Sequence, residues 1–340
     1  MASDDEQRPE PAAPSAVSRA RRVAGLGRTG GVAAPPPRPR PPARVAAETA
    51  PTDRAAAGGS APSDAGTAEP PRSRSGRNLP VAIGVGVGLG AVIAASLFAY
   101  RPSFAVIVGA AVLYGIYELA RALGSAGIRP ALTPLLVGSA ASLVAAWQRG
   151  PSGLVVGVLI TLTGVVVWRI ADGALGYTRD VTASAFILLY VPALAGFAIL
   201  LAHPGDGAAR VLAFVATVVC SDTGGLAAGV FFGRHPLAPI VSKAKTWEGF
   251  AGSALACAAA GILFMTLTFH EAWWKGLLFG LAIVVTATLG DLGESMIKRD
   301  LEIKDMGSLL PGHGGIMDRL DSLLPCAAVA YLLLSAFAPV

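Results

Sequence analysis

Five of the seven carboxylates between Asp291 and Asp321, near the C-terminus of the 340-residue chain, stand together with four cations as candidates for one site. They are Asp291, Glu294, Asp305, Asp318 and Asp321, with Lys298, Arg299, Lys304 and Arg319. Carboxylates alone would indicate a hard divalent cation, and Mg²⁺ usually takes one or two of them together with substrate phosphates. Cations beside them indicate phosphate partners. The combination predicts chemistry on a metal-bound polyphosphate.

The spacing of these groups places them on helix faces. The first set is spaced i, i+3, i+4, i+7 and consists of Asp291, Glu294, Ser295 and Lys298. The second set is spaced i, i+3, i+4 and consists of Asp318, Asp321 and Ser322. Residues so spaced share one face of a helix. Such a face does not contact lipid, since a charge at the bilayer centre costs about 2.5–3.5 kcal/mol even on lenient scales. Both faces are therefore predicted to line a protein cavity or water.

A glycine-rich turn precedes the second of these faces. Asp318 and Asp321 could simply be acids at a helix N-terminus, where the dipole favours them by about 0.3–1 kcal/mol. That interpretation does not explain His313, Gly314 and Gly315 just before them. Glycines allow backbone N–H groups to converge on an anion. The turn therefore favours a phosphate-binding site.

A third polar region is Ser221–Gly225, SDTGG, which interrupts an apolar run. An ionisable residue such as Asp222 in a membrane segment is a functional-site hypothesis by default. The alternative is a helix break in which Asp222 caps backbone groups. Lys243 and Lys245 follow in a predicted loop, either as substrate ligands or as a solvated basic segment.

Glu118 and Arg121 stand at i, i+3 near the end of an apolar segment. That spacing brings two helical side chains together. We interpret them as a structural ion pair, not as catalytic groups.

Composition identifies the elements that position these groups. Hydrophobic residues make up 53% of the chain and charged residues 14%, against about 25% charged in soluble domains. Long apolar runs reach the roughly 20 residues that a membrane span needs. The chain is predicted to be an all-α polytopic integral membrane protein with about nine transmembrane helices, near 80–100, 103–122, 131–148, 152–170, 182–202, 209–231, 249–269, 274–293 and 320–338.

The first 79 residues are rich in Pro, Ala, Gly, Ser and Arg. Such a segment cannot bury enough apolar surface to offset its ordering entropy. We predict a disordered cytoplasmic tail over 1–79 and a transmembrane catalytic domain over 80–340. The tail holds twelve arginines against eight acidic residues, so the basic balance belongs to it and does not indicate nucleic-acid binding. It could contact anionic lipid heads or serve as a solvated tether.

The loops between the predicted spans are unequally charged. With the N-terminus inside, the cytoplasmic loops carry eleven Lys and Arg residues and the opposite loops carry four. Positive charge is enriched on the cytoplasmic side of membrane proteins. The polar regions are therefore predicted to face the cytoplasm.

The run from Ser295 to Asp321, SMIKRDLEIKDMGSLLPGHGGIMDRLD, resembles the signature of the phosphatidate cytidylyltransferases, or CDP-diacylglycerol synthases. That signature joins S-x-x-K-R, K-D, H-G-G and D-R-x-D at fixed spacings, and every part is present here. The DTG and KTWEG segments around Asp222 and Lys245 are also similar to the family. The likeness covers about the C-terminal third of the chain.

The resemblance implies transfer of CMP from CTP to phosphatidate, giving CDP-diacylglycerol and pyrophosphate. It implies Mg²⁺ held by Asp291 and Asp318, with Asp321 orienting these ligands or holding a second metal ion. Catalytic roles would fall to Lys298, Arg299, Asp318 and Asp321. The residues expected to bind substrate are Asp222, Lys245, Ser295, Lys304, Asp305, His313, Gly314, Gly315 and Arg319.

The resemblance further implies a plasma-membrane enzyme whose active site faces the cytoplasm and contacts membrane lipids, and a homodimer. Three other interpretations remain at this point. A CTP-using kinase of a membrane lipid, such as a polyprenol kinase, would share the nucleotide and the membrane. A transporter or channel would favour inverted repeats and mid-membrane charges, which the sequence does not display. A family member could also have lost its activity.

Overall fold

The computed structural model describes residues 79–307, 309 and 314–339. The predicted tail, apart from Leu79 at the start of the first helix, and His313 lie outside the described residues. The helices are α1 (Leu79–Ala99), α2 (Arg101–Ser125), α3 (Leu132–Ala171), α4 (Tyr177–Leu188), α5 (Leu194–Ala202), α6 (Gly207–Phe232), α7 (Trp247–Leu263), α8 (Trp273–Asp300), α9 (Met317–Leu320) and α10 (Leu323–Phe337).

Among the residues that the structure describes, seven helical segments are long and apolar enough to cross a membrane. Two of them contain a π-helical turn, at Leu189–Ala193 between α4 and α5 and at Phe264–Thr268 after α7. The prediction of an all-α polytopic membrane protein is confirmed. Helix α3 is kinked at Gly150, where φ is 66°, and the predicted segments 131–148 and 152–170 lie on either side of that kink. The count of nine spans stays a prediction.

A short antiparallel hairpin joins α6 to α7. Its strands are β1 (Pro236–Ala238) and β2 (Ser242–Thr246). Thr246 then caps α7, because its side-chain oxygen accepts the backbone N–H of Gly249 at 3.1 Å. Lys245 therefore sits directly before a well-defined helix start, and its position is set by the hairpin and the cap together.

Helices α6, α7 and α8 pack closely through small residues. A methyl group at Gly224 of α6 or at Gly252 of α7 would collide with the facing helix, so only glycine permits this approach. Two apolar cores complete the bundle, one centred on α2, α3 and α4–α5, the other on α5, α6, α8 and α10. This packing brings Asp222 of α6 and Asp291 of α8 to one region of the bundle.

Candidate active site

A polar cavity of about 480 Å³ lies where the end of α8 meets the start of α9–α10, next to α6 and the hairpin. Its lining, called the polar cavity below, is Asp222, Lys245, Asp291, Glu294, Ser295, Lys298, Asp305, Asp318, Arg319, Asp321 and Ser322. Every member of both predicted helix faces is among them. The prediction that these faces line a cavity is confirmed.

Gly290 lets the two polar helix faces meet. A methyl group there would lie 2.5 Å from the backbone oxygen of Asp321 and 2.9 Å from the ring of Pro325. Only a glycine allows α8 to approach the start of α10 so closely. Asp291 follows at once in the chain, so this contact places its carboxylate beside that of Asp321.

Lys298 connects two carboxylates from different helices. Its Nζ atom lies 2.5 Å from Oε2 of Glu294 and 3.1 Å from Oδ1 of Asp318. Both acids are buried, with 1% and 6% of their surface exposed. The other oxygen of Glu294, Oε1, is buried and has no hydrogen-bond partner within the described chain. A buried carboxylate oxygen without a donor is costly, and a bound cation or water would satisfy it.

Asp318 holds the turn that precedes it. Its Oδ2 accepts the N–H of Gly315 at 2.7 Å, and both its oxygens accept the N–H of Met306, at 3.1 and 3.2 Å. Gly314 has φ of 78° and lies against the same carboxylate, a conformation that favours glycine. The predicted role of Gly315 as a phosphate ligand is therefore corrected here, because its N–H is donated to Asp318.

Glu118 is a site residue that the sequence argument misassigned. Its Oε2 accepts the backbone N–H of Met317 at 2.9 Å, across 199 positions of sequence. A methyl group at Gly307 or Gly315 would collide with its carboxylate. The predicted ion pair with Arg121 is wrong, since Glu118 is buried and Arg121 is exposed. Helical spacing indicated a near neighbour, and no local signal points to so distant a partner.

Lys245 and Asp291 form an ion pair between the hairpin and α8. Together with Asp222 they line both the polar cavity and a neighbouring cavity of about 290 Å³ between α6, α7 and the hairpin. Helix α6 runs unbroken through Asp222 and the two glycines after it. The alternative of a helix break at Asp222 is therefore wrong, and so is that of a purely solvated Lys245.

Some predicted site residues lie outside the polar cavity. Arg299 and Lys304 are exposed, and neither is among the described residues that line it. Gly314 lies on the turn and contacts Asp305 and Asp318. The substrate-binding roles predicted for Arg299 and Lys304 stay predictions, and those roles would need a substrate that extends beyond the cavity.

The charge balance of the polar cavity indicates its chemistry. Six carboxylates and three cations line it, a formal excess of three negative charges. A binding site for an anion alone would carry the opposite excess. Carboxylates in excess, with cations among them, suit a divalent metal ion accompanied by phosphate groups.

Comparison with known proteins assigns the chain to a family. The model of the cytidylyltransferase family matches residues 80–337. A phosphatidate cytidylyltransferase of Mycobacterium leprae is 42% identical over 77% of this chain and 89% of that protein. One from Mycobacterium bovis is 40% identical over 77% of this chain and 90% of its own. A chloroplastic phosphatidate cytidylyltransferase of Arabidopsis thaliana is 42% identical over 38% of this chain and 33% of its own. The chain therefore belongs to the cytidylyltransferase family.

Proposed function

We propose that this chain is a CTP:phosphatidate cytidylyltransferase of phospholipid biosynthesis. It transfers CMP from CTP to phosphatidate and yields CDP-diacylglycerol and pyrophosphate. The observation that carries the proposal is the polar cavity itself, with six carboxylates and three cations brought together in a bundle of membrane-length helices. A soluble nucleotide and a membrane lipid can both reach a site so placed. Relatives that share about 40% of its residues bear the name of this enzyme.

The reaction needs little acid–base help from the protein. A phosphate oxygen of phosphatidate forms a bond to the α-phosphorus of CTP, and the bond from that phosphorus to the β-phosphate oxygen breaks. The attacking monoester is already largely dianionic near pH 7, because its second pKa is about 6. The barrier comes from bringing two anions together and from the charge on the pyrophosphate leaving group. Fixed cations therefore contribute most, by holding the phosphates and stabilising that charge.

Three cations of the polar cavity are placed for this work. Lys298 is held between two carboxylates, which keep its ammonium group at one position. Lys245 is held by Asp291 at the opposite wall. The guanidinium of Arg319 has no ion pair or hydrogen bond within the described chain, so it is available for a phosphate, with bidentate geometry.

The residues of the cavity suit a Mg²⁺ ion. The excess of carboxylates and the partnerless Oε1 of Glu294 are what such an ion would neutralise. Asp291 and Asp318 are the ligands we propose, one from α8 and one from α9, with Asp321 orienting them or holding a second ion. When bound, the metal would supply charge stabilisation to the triphosphate and the leaving pyrophosphate.

We also propose the topology of the protein in its membrane. The seven span-length segments become nine crossings if α3 crosses twice, at its kink, and α1 crosses once. The loop charges support a polar cavity at the cytoplasmic face of the membrane, where CTP is available, and the plasma membrane is the location we propose. A homodimer is part of the proposal by family resemblance.

The test is an assay of the purified full chain in detergent micelles. Labelled CTP and phosphatidate are supplied with and without Mg²⁺, and the lipid products are identified by mass spectrometry. We expect CDP-diacylglycerol and pyrophosphate only when metal is present. Phosphorylation of a lipid alcohol would identify a kinase instead. Turnover that persists in full after chelation would remove the metal from the proposal.

A further inference from the structure

A third cavity, of about 140 Å³, lies between α1, α2, α5, α6 and α10. Its lining side chains are apolar along α2, from Phe104 to Val112, and along α10 to Ala327. Of the described residues that line it, Arg319 is the one that carries charge. We call it the apolar cavity. An apolar cavity of about 150 Å³ is large enough to hold a ring of six carbons, so this one can hold part of a hydrocarbon chain.

The apolar cavity and the polar cavity share a wall. Arg319 lines both, and it lies directly after Asp318, whose carboxylate is in the polar cavity. Ile316 and Leu320, on either side of Arg319, line the apolar cavity alone. The start of α9–α10 is therefore the boundary between a charged compartment and an apolar one.

The apolar cavity has a depth that suits a chain and not a compact ligand. From Arg319 of α9 to Ala327 of α10 the lining extends over eight positions of nearly continuous helix, about 12 Å at 1.5 Å per residue. A ligand with an anionic end and a flexible apolar chain would fill the cavity and place its charge at Arg319.

We propose that the apolar cavity binds part of one acyl chain of phosphatidate, while Arg319 contacts the phosphate of the same molecule. This inference rests on the proposed function, and it names the part of that site which recognises the lipid. The second acyl chain stays in the bilayer. The acyl chain in the cavity would fix the depth of the lipid, and so the position of its attacking phosphate oxygen in the polar cavity.

Adjacent alanines on α2 provide a matched test. Ala111 lines the apolar cavity, whereas Ala110 is exposed and does not line it. The full chain and its variants Ala111→Leu and Ala110→Leu are assayed in micelles with dioleoyl and dihexanoyl phosphatidate. We expect Ala111→Leu to lower the dioleoyl-to-dihexanoyl ratio of kcat/KM by about tenfold, since the added side chain displaces roughly two methylene groups. The ratio for Ala110→Leu should equal that of the wild type.

A variant that enlarges the apolar cavity keeps the inference testable if Ala111→Leu does not fold. Val112→Ala removes two methyl groups from the same wall and should raise kcat/KM for a methyl-branched phosphatidate relative to the dioleoyl lipid. Acyl-chain ratios equal to the wild type in every folded cavity variant would overturn the inference and leave the proposed function intact. A wild-type chain that makes no CDP-lipid from any phosphatidate would instead overturn the proposed function.

Discussion

Two polar clusters in this molecule differ in how their charges are balanced. In the first, at the junction of α3 and α4, the buried Asp180 accepts hydrogen bonds from Arg169 at 2.7 Å, from Arg179 at 3.3 Å and from the backbone of Arg129 at 3.0 Å. Arg169 also contacts Asp172 at 2.5 Å. Two acidic and two basic side chains face one another there, so the charges are matched inside the protein.

The second cluster is the polar cavity, where six carboxylates meet three cations. Its excess of three negative charges has no counterpart among the residues that line it. Buried charges are normally paired. A cluster that is paired internally holds the fold together, whereas a cluster that is left unbalanced requires something from outside. The comparison indicates that the balance of charge in a cluster, more than the number of charged groups, distinguishes a structural cluster from a functional one.

The largest expected effect comes from removing a charge in the unbalanced cluster. Asp318→Asn should lower kcat about 10³-fold, roughly 4 kcal/mol of barrier. It removes the partner of Lys298, weakens the hold on Met306 and Gly315, and takes away a proposed metal ligand. The measurement is the rate of CDP-lipid formation from labelled CTP in micelles.

Asp305→Asn is the matched control for that change, because Asp305 lines the same cavity but is exposed. We expect it to cost less than about tenfold in kcat. Equal losses in the two variants would mean that the cavity responds to total charge alone, and the special placement of Asp318 would be wrong.

A substitution in the balanced cluster should lower the stability of the protein and leave its catalytic rate unchanged. Arg169→Met leaves Asp180 buried beside a group that cannot pair with it, which costs about 3 kcal/mol. We expect a lower melting temperature in micelles and an unchanged kcat for the folded fraction. Loss of kcat without loss of stability would break the distinction between the two clusters.

Glu118 shares features of both clusters, because it is buried like Asp180 but supports the turn of the polar cavity. Glu118→Ala should lower kcat about 10²-fold, roughly 2.7 kcal/mol, by releasing Met317 and the turn before it. Glu118→Gln keeps an oxygen that can accept the Met317 N–H, so it should restore kcat to within about tenfold of the wild type. A Gln variant as inactive as Ala would assign the effect to the negative charge and not to the hydrogen bond.

The sequence predicts the polar cavity well and its internal contacts poorly, for a physical reason. Helical spacing alone places Asp291, Glu294, Ser295 and Lys298 on one face, and the structure confirms that face. The helical period and the hydropathy of a segment are local properties, because they can be read from residues three and four positions apart. The all-α membrane fold follows from the same kind of local signal.

Contacts between distant segments have no such signal. Glu118 accepts a backbone N–H that is 199 positions away. That contact depends on how α2 packs against the start of α9, which no spacing pattern contains. The helix break considered as the alternative for Asp222 is wrong because α6 continues through the glycines that indicated it. Glycine there serves helix packing, not a turn.

The smallest expected effect tests whether burial is what gives the balanced cluster its strength. Arg179 contacts the same Asp180 as Arg169 does, but its side chain is 53% exposed against 8% for Arg169. Exposed ion pairs contribute about 0.2–1 kcal/mol, because water screens them and the long side chain loses entropy. Arg179→Ala should therefore lower the free energy of unfolding by at most about 1 kcal/mol, measured by thermal melts beside Arg169→Met. If both substitutions were equally destabilising, the number of ion pairs, and not their burial, would set the stability of this junction. The contribution of the balanced cluster to stability would then depend on how many charged groups it holds.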